Sequence, residues 1–164
     1  MMRSFVEAHL ASRQVARVIY GTIIGLAIVV GLESHPPPAG AVVATLLGTA
    51  VAVGLAELYS EILGAETRAR RRIGRERLRA IVDEVGAVAF GIGFPAVFFV
   101  LSTAEAMKVA TAFTLAKWSG LGLTSFYGLA ASRLAGEGLL AAVPYAAAIG
   151  VVGAFLIALK ALVH

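Results

Sequence analysis

The chain has 164 residues, 59% of them apolar and only 15% charged, with a net charge of +4 and a mean hydropathy of +0.88. That balance is too apolar for a soluble domain of this size and points to a polytopic helical membrane protein. The absence of cysteine excludes disulfides, zinc–thiolate sites, iron–sulfur clusters and thiol nucleophiles; the basic residues gather at the ends of apolar runs rather than on an aromatic-studded polar surface, which argues against nucleic acid as a partner.

Taken in order, the segment Ser4 to Arg17 has Phe5, Leu10 and Val15 at helical spacing among polar residues. It reads as a surface helix or as an extension of the span that follows. That first span, expected over 14–33, holds Gly21 and Gly25 in a G-x-x-x-G arrangement, a pattern for close helix packing more than for a site. Glu33-Ser34-His35-Pro36-Pro37-Pro38 stops it, since proline lacks the amide donor and disfavours helix before it. A second span is expected over 39–63 and a basic amphipathic cytoplasmic helix over 65–84, with bends at Gly64 and Gly74. In that helix Leu78, Ile81, Val82 and Val85 recur at i, i+3, i+4 and i+7, opposite Arg68, Arg71, Arg72, Arg75 and Arg79. The third span, 85–102, is interrupted by Gly91, Gly93 and Pro95 in the stretch FGIGFP, which predicts a kink or a re-entrant segment. Ser102-Thr103-Ala104-Glu105 reads as a capping box opening a fourth span over 105–132. A fifth span over 139–163 carries Pro144 in its first turns.

The resulting fold class is an all-α integral membrane protein, one membrane domain over 1–164 with five transmembrane helices. Eleven arginines (Arg3, Arg13, Arg17, the seven from Arg68 to Arg79, and Arg133) fall on one side, against Lys108 and Lys160 on the other. The positive-inside rule then places the N-terminus in the cytoplasm and the C-terminus outside. The expected location is the cell membrane of a prokaryote.

Two residues stand out chemically. Glu57 lies about one turn inside the arginine-rich boundary of the second span, where a bare carboxylate is costly. Glu61 follows at i+4 on the same face. Two stacked carboxylates can bind a divalent cation, share a proton, or pair with arginines such as Arg13 or Arg68. Lys117 sits well inside the fourth span, where it can snorkel outward or, facing the bundle, pair with Glu57, the only acid deep enough. The arginines are topology determinants suited to anionic lipid headgroups. Asp83 and Glu84 read as caps at the start of the third span. His9, His35 and His164 are too far apart to suggest a histidine metal site, and no nucleophile with its base is evident, so no enzyme is expected.

The segment Ala56-Glu57-Leu58-Tyr59-Ser60, at the end of the second of five spans and followed by a charged cytoplasmic segment, resembles the vacuolar iron transporter family of iron and manganese exporters. In that family an alanine or glycine followed by glutamate, with tyrosine and serine close behind, ends the second span. The resemblance implies Glu57 as a membrane-embedded cation or proton ligand. Gly21 would match the family's aspartate–glycine pair, with Tyr20 standing where the aspartate would fall. The family's second-span methionine has no counterpart, and arginines replace its glutamate-rich helices.

The leading expectation is a small transporter or channel for a cation, with a divalent metal coupled to protons among the candidates. It would be a homodimer or other homo-oligomer, with Glu57 and Glu61 as ligands and the break at Gly93 and Pro95 as a hinge or a source of free carbonyls. The alternative is a non-transporting scaffold or accessory subunit whose arginine-rich helix binds anionic lipid or a partner protein.

Overall fold

The computed structural model describes the backbone of residues 2–134 and of Val151, and the side chains of 14–129 and of Val151. The expected fifth span at 139–163, with Pro144 and Lys160, lies outside the described residues apart from Val151. Within them the chain forms five helices and no strand: α1 (Met2–Glu33), α2 (Ala39–Ala69), α3 (Arg75–Gly93), α4 (Ala96–Thr103) and α5 (Val109–Leu134).

Two of these helices are long and apolar enough to cross a membrane, which suggests a membrane protein: Gln14–Glu33 of α1, with mean hydropathy 2.1, and the whole of α2, with mean hydropathy 2.0. Helices α3 and α4 reach that standard only as a pair, bent by 49° at the break between them. The N-terminal polar segment is continuous with the first span in α1, so the extension reading describes the backbone.

The helices touch in a closed circuit. Helix α1 packs against α3 and α5, α2 against α3 and α4, and α4 against α5, while α1 and α2 barely meet. The bend causes this arrangement: α3 lies between α1 and α2, and α4 swings across toward α5. At the end of the bundle nearest the triproline loop, Val29, Val42, Leu46, Phe99, Phe113 and Ala116 form the main core. Phe99 and Phe113 meet edge-on there with ring centres 4.8 Å apart. Ala50, Val88 and Ile92 continue the core toward the arginine-rich end.

Several local expectations need correction. The basic segment is not one separate helix over 65–84. Helix α2 runs unbroken through Gly64 to Ala69 and ends at Arg70, a left-handed residue with φ 50° and ψ 29°. After a short turn the chain re-enters helix at Arg75, with Gly74 as its N-cap, and α3 carries basic and apolar halves together. The turn is tied down by the Ile73 amide, which donates to Glu66 Oε1 at 3.4 Å.

Only part of the apolar face of α3 is buried in the bundle. Its buried stripe is Ile81, Glu84, Val88, Gly91 and Ile92, whereas Leu78 and Val82 are exposed. The stripe follows contact with α1, which admits a carboxylate because it also supplies a cation.

The expected capping box at Ser102–Glu105 is a helix end instead of a beginning. The Ala106 amide donates to Leu101 O at 3.0 Å and the Glu105 amide to Ser102 O at 3.1 Å, with Glu105 left-handed at φ 58°. This is the double hydrogen bond of a Schellman C-cap, built on a glutamate where glycine is usual. It closes α4, and α5 starts only at Val109.

Candidate functional site

Where α1, α2 and α3 meet at the arginine-rich end, Arg17 of α1 gathers three glutamates. Its Nη1 donates to Glu57 Oε2 at 2.7 Å and its Nη2 to Glu61 Oε1 at 2.6 Å. Glu84 Oε2 of α3 lies 3.5 Å from Nη2. The i+4 spacing on α2 puts Glu57 and Glu61 one turn apart, and the planar guanidinium presents its two terminal nitrogens to one carboxylate each. The side chains are largely buried, 17% exposed at Glu57 and 6% at Glu84. The backbones of α1 and α2 barely approach one another, and this ionic bridge joins the two helices at that end.

The sequence singled out Glu57 and Glu61 but not their partner. From sequence Arg17 counts among the topology-determining arginines and Glu84 as a helix cap; in the structure Glu84 lies in the middle of α3, buried against α1. The two acids on α2 already demanded a cation at that depth, and Arg17 stands at the matching boundary of the neighbouring span. Arg68 lines the same cleft but makes no ion pair with Glu57 or Glu61, and the side chain of Arg13 lies outside the described ones.

Lys117 takes the bundle-facing path, with an acid other than the expected one. Its Nζ donates to Glu33 Oε1 at 2.6 Å, so it faces the bundle and closes α5 against the last turn of α1. Glu57 is not its partner. Sequence depth hid this, because Glu33 looked like the polar edge of a loop.

The break at FGIGFP is sealed by packing. Pro95 is fully buried and has no amide to offer the Gly91 carbonyl. A Cβ placed on Gly25 would lie 3.2 Å from that carbonyl oxygen and 2.9 Å from that of Ile92, so these oxygens abut α1. Contact of this kind is made through weak Cα–H···O interactions. A Cβ on Gly93 would meet Leu47 of α2 at 3.6 Å.

Arg68, Arg71, Arg72 and Arg77 come together, with Ala65, Ala69, Ile73 and Gly74, around an open cleft of about 580 Å³ at the α2–α3 turn. Among the described residues no carboxylate lines it. Arg75 begins α3 beside it and is exposed. A second cleft of about 660 Å³ adjoins it, lined by Arg17, Glu61, Glu84 and Ala16 and sharing Arg68 and Arg77 with the first.

Among the described residues no group of three histidine, cysteine, aspartate or glutamate side chains is arranged to hold a metal ion. Glu57 and Glu61 each give one oxygen to the Arg17 guanidinium, which therefore competes with any cation for these carboxylates.

No protein-family model, curated protein or solved structure matches the chain. The likeness to vacuolar iron transporters therefore rests on layout and on Ala56–Ser60 alone.

Proposed function

We propose that the protein is a non-transporting membrane scaffold or accessory subunit that binds anionic lipid headgroups through the arginines of the α2–α3 turn. The observation that carries this reading is the cleft itself, lined among the described residues by four arginines and by no acid. By contrast, the acids within the apolar helices are already engaged by Arg17 and Lys117. By arginine bias the cleft faces the cytoplasm, where anionic lipids attract polybasic segments at about 1 kcal/mol per residue.

Thermal unfolding of the protein in nanodiscs tests this. Replacing part of a zwitterionic lipid with phosphatidylglycerol should raise the melting temperature at low salt, and the gain should shrink at high salt as the charges are screened. Equal melting temperatures in both lipids at low salt would refute the reading.

Cation transport is a second reading, favoured by the adjoining cleft that reaches Glu61 and Glu84. A cation or protons would there compete with Arg17 for the carboxylates. It requires metal or proton flux in proteoliposomes that Glu57→Gln abolishes, and flux unaltered by that substitution would exclude Glu57 as the ligand.

A further inference from the structure

We infer that the cleft at the α2–α3 turn is a specific site for a phosphomonoester headgroup, the chemistry of phosphatidic acid and of phosphorylated inositol lipids, rather than a diffuse basic surface. The inference rests on the headgroup-binding reading above and adds a ligand class to it.

The first argument is charge. Arg68, Arg71, Arg72 and Arg77 bring four guanidinium groups to one cleft whose remaining lining is Ala65, Ala69, Ile73 and Gly74. Bilayer phosphodiesters carry one negative charge and two unesterified oxygens, which one or two arginines satisfy. A phosphomonoester carries about −1.5 to −2 charges near neutral pH and three acceptor oxygens. Guanidinium pairs with such oxygens two at a time, so four arginines suit the monoester better.

The second argument is shape. The cleft is formed by a defined turn: Arg70 reverses the chain in a left-handed conformation, and the Ile73 amide is held by Glu66. Gly74, which lines the cleft, caps α3 without a side-chain hydrogen bond, so the opening amides of a 19-residue helix lie beside the arginines with their positive dipole end.

The third is depth, which favours a lipid over a free metabolite. Helix α2 has 31 residues, a length of about 46 Å at ~1.5 Å per residue. A bilayer with its headgroups is roughly 40–45 Å thick. With the triproline loop at one surface, the end of α2 comes level with the headgroups of the other.

The cleft also shares Arg68 and Arg77 with the neighbouring one, whose acids Glu61 and Glu84 belong to the Arg17 cluster.

The test uses full-length protein in detergent and measures binding of dioctanoyl phosphatidic acid, dioctanoyl phosphatidylglycerol, dioctanoyl phosphatidylcholine, glycerol 3-phosphate and inorganic phosphate. Phosphatidic acid should bind at least ten-fold more tightly than phosphatidylglycerol. The double variant R71Q/R72Q, altered at two exposed side chains, should lose that preference and keep its helical content and melting temperature. Equal binding of phosphatidic acid and phosphatidylglycerol, both above phosphatidylcholine, would overturn the monoester inference and leave the headgroup reading standing. Binding of neither above phosphatidylcholine would overturn both. Inorganic phosphate or glycerol 3-phosphate binding as tightly as phosphatidic acid would overturn the lipid assignment, and a preference unchanged in R71Q/R72Q would place the site elsewhere.

Discussion

Among single residues, Arg17 holds the junction of α1, α2 and α3. Removing the cation from a buried ion pair strands its acids, whereas neutralising one acid leaves the guanidinium other partners. Arg17→Met is therefore expected to destabilise the protein by about 3 kcal/mol, and Glu57→Gln or Glu61→Gln by clearly less, as read from denaturant unfolding in detergent micelles. Arg17→Lys should fall between them, because an ammonium is a point charge and lacks the planar fork that spans two carboxylates. If Glu57→Gln proves as damaging as Arg17→Met, the arginine-centred description is wrong. For Lys117 and Glu33, each single change to Gln should cost on the order of 1 kcal/mol, with the double change costing little more than either one. Fully additive losses would mean that the pair does not couple. The sequence made the two acids of α2 legible through their depth and spacing. It hid their cation because Arg17 and Glu33 sit at span edges, where charge has an ordinary topological explanation.

At the scale of elements, the contact between α1 and the broken third segment depends on missing side chains. A Cβ on Gly21 would lie 2.2 Å from the Val88 carbonyl oxygen, and one on Gly91 would lie 2.6 Å from the Val18 carbonyl oxygen and from the Thr22 amide. Those neighbours are backbone, so a helix would have to move. Gly21→Ala should cost about 1–3 kcal/mol by overpacking. Gly31 on the same helix has nothing within 4 Å of such an atom, and Gly31→Ala should be neutral or stabilise by up to about 1 kcal/mol through helix propensity. Equal effects of the two changes in a melting experiment would contradict this packing. The G-x-x-x-G pattern and the proline break were readable because they act through backbone geometry that the residue type dictates. The ends of α2 and α4 were not, since Arg70 and Glu105 adopt the left-handed conformation without being glycine. A glutamate after Ser102 and Thr103 satisfies the pattern for starting a helix as well as it fits this C-cap.

On the scale of the whole molecule, the closed circuit of helices gives two ends of different character. The triproline end is held by an aromatic and aliphatic core with the Lys117–Glu33 pair beside it. The arginine-rich end is held by the Arg17 cluster and presents the arginine-lined cleft. Apolar, all-helical character was legible from composition and patterning, and so was the split between the two ends. The convergence of Arg68, Arg71, Arg72 and Arg77 was not, because it requires the turn at Arg70 to Gly74 that folds α3 back along α2. The most direct test of headgroup binding at this cleft is the lipid that stays with the protein when it is purified from a mixed zwitterionic and anionic membrane, compared with the variant R68Q/R71Q/R72Q/R77Q. The expected result is anionic lipid enriched several-fold over its share of the membrane in the native protein and near that share in the variant. Lipid of bulk composition on both proteins, or equal enrichment on both, would contradict it.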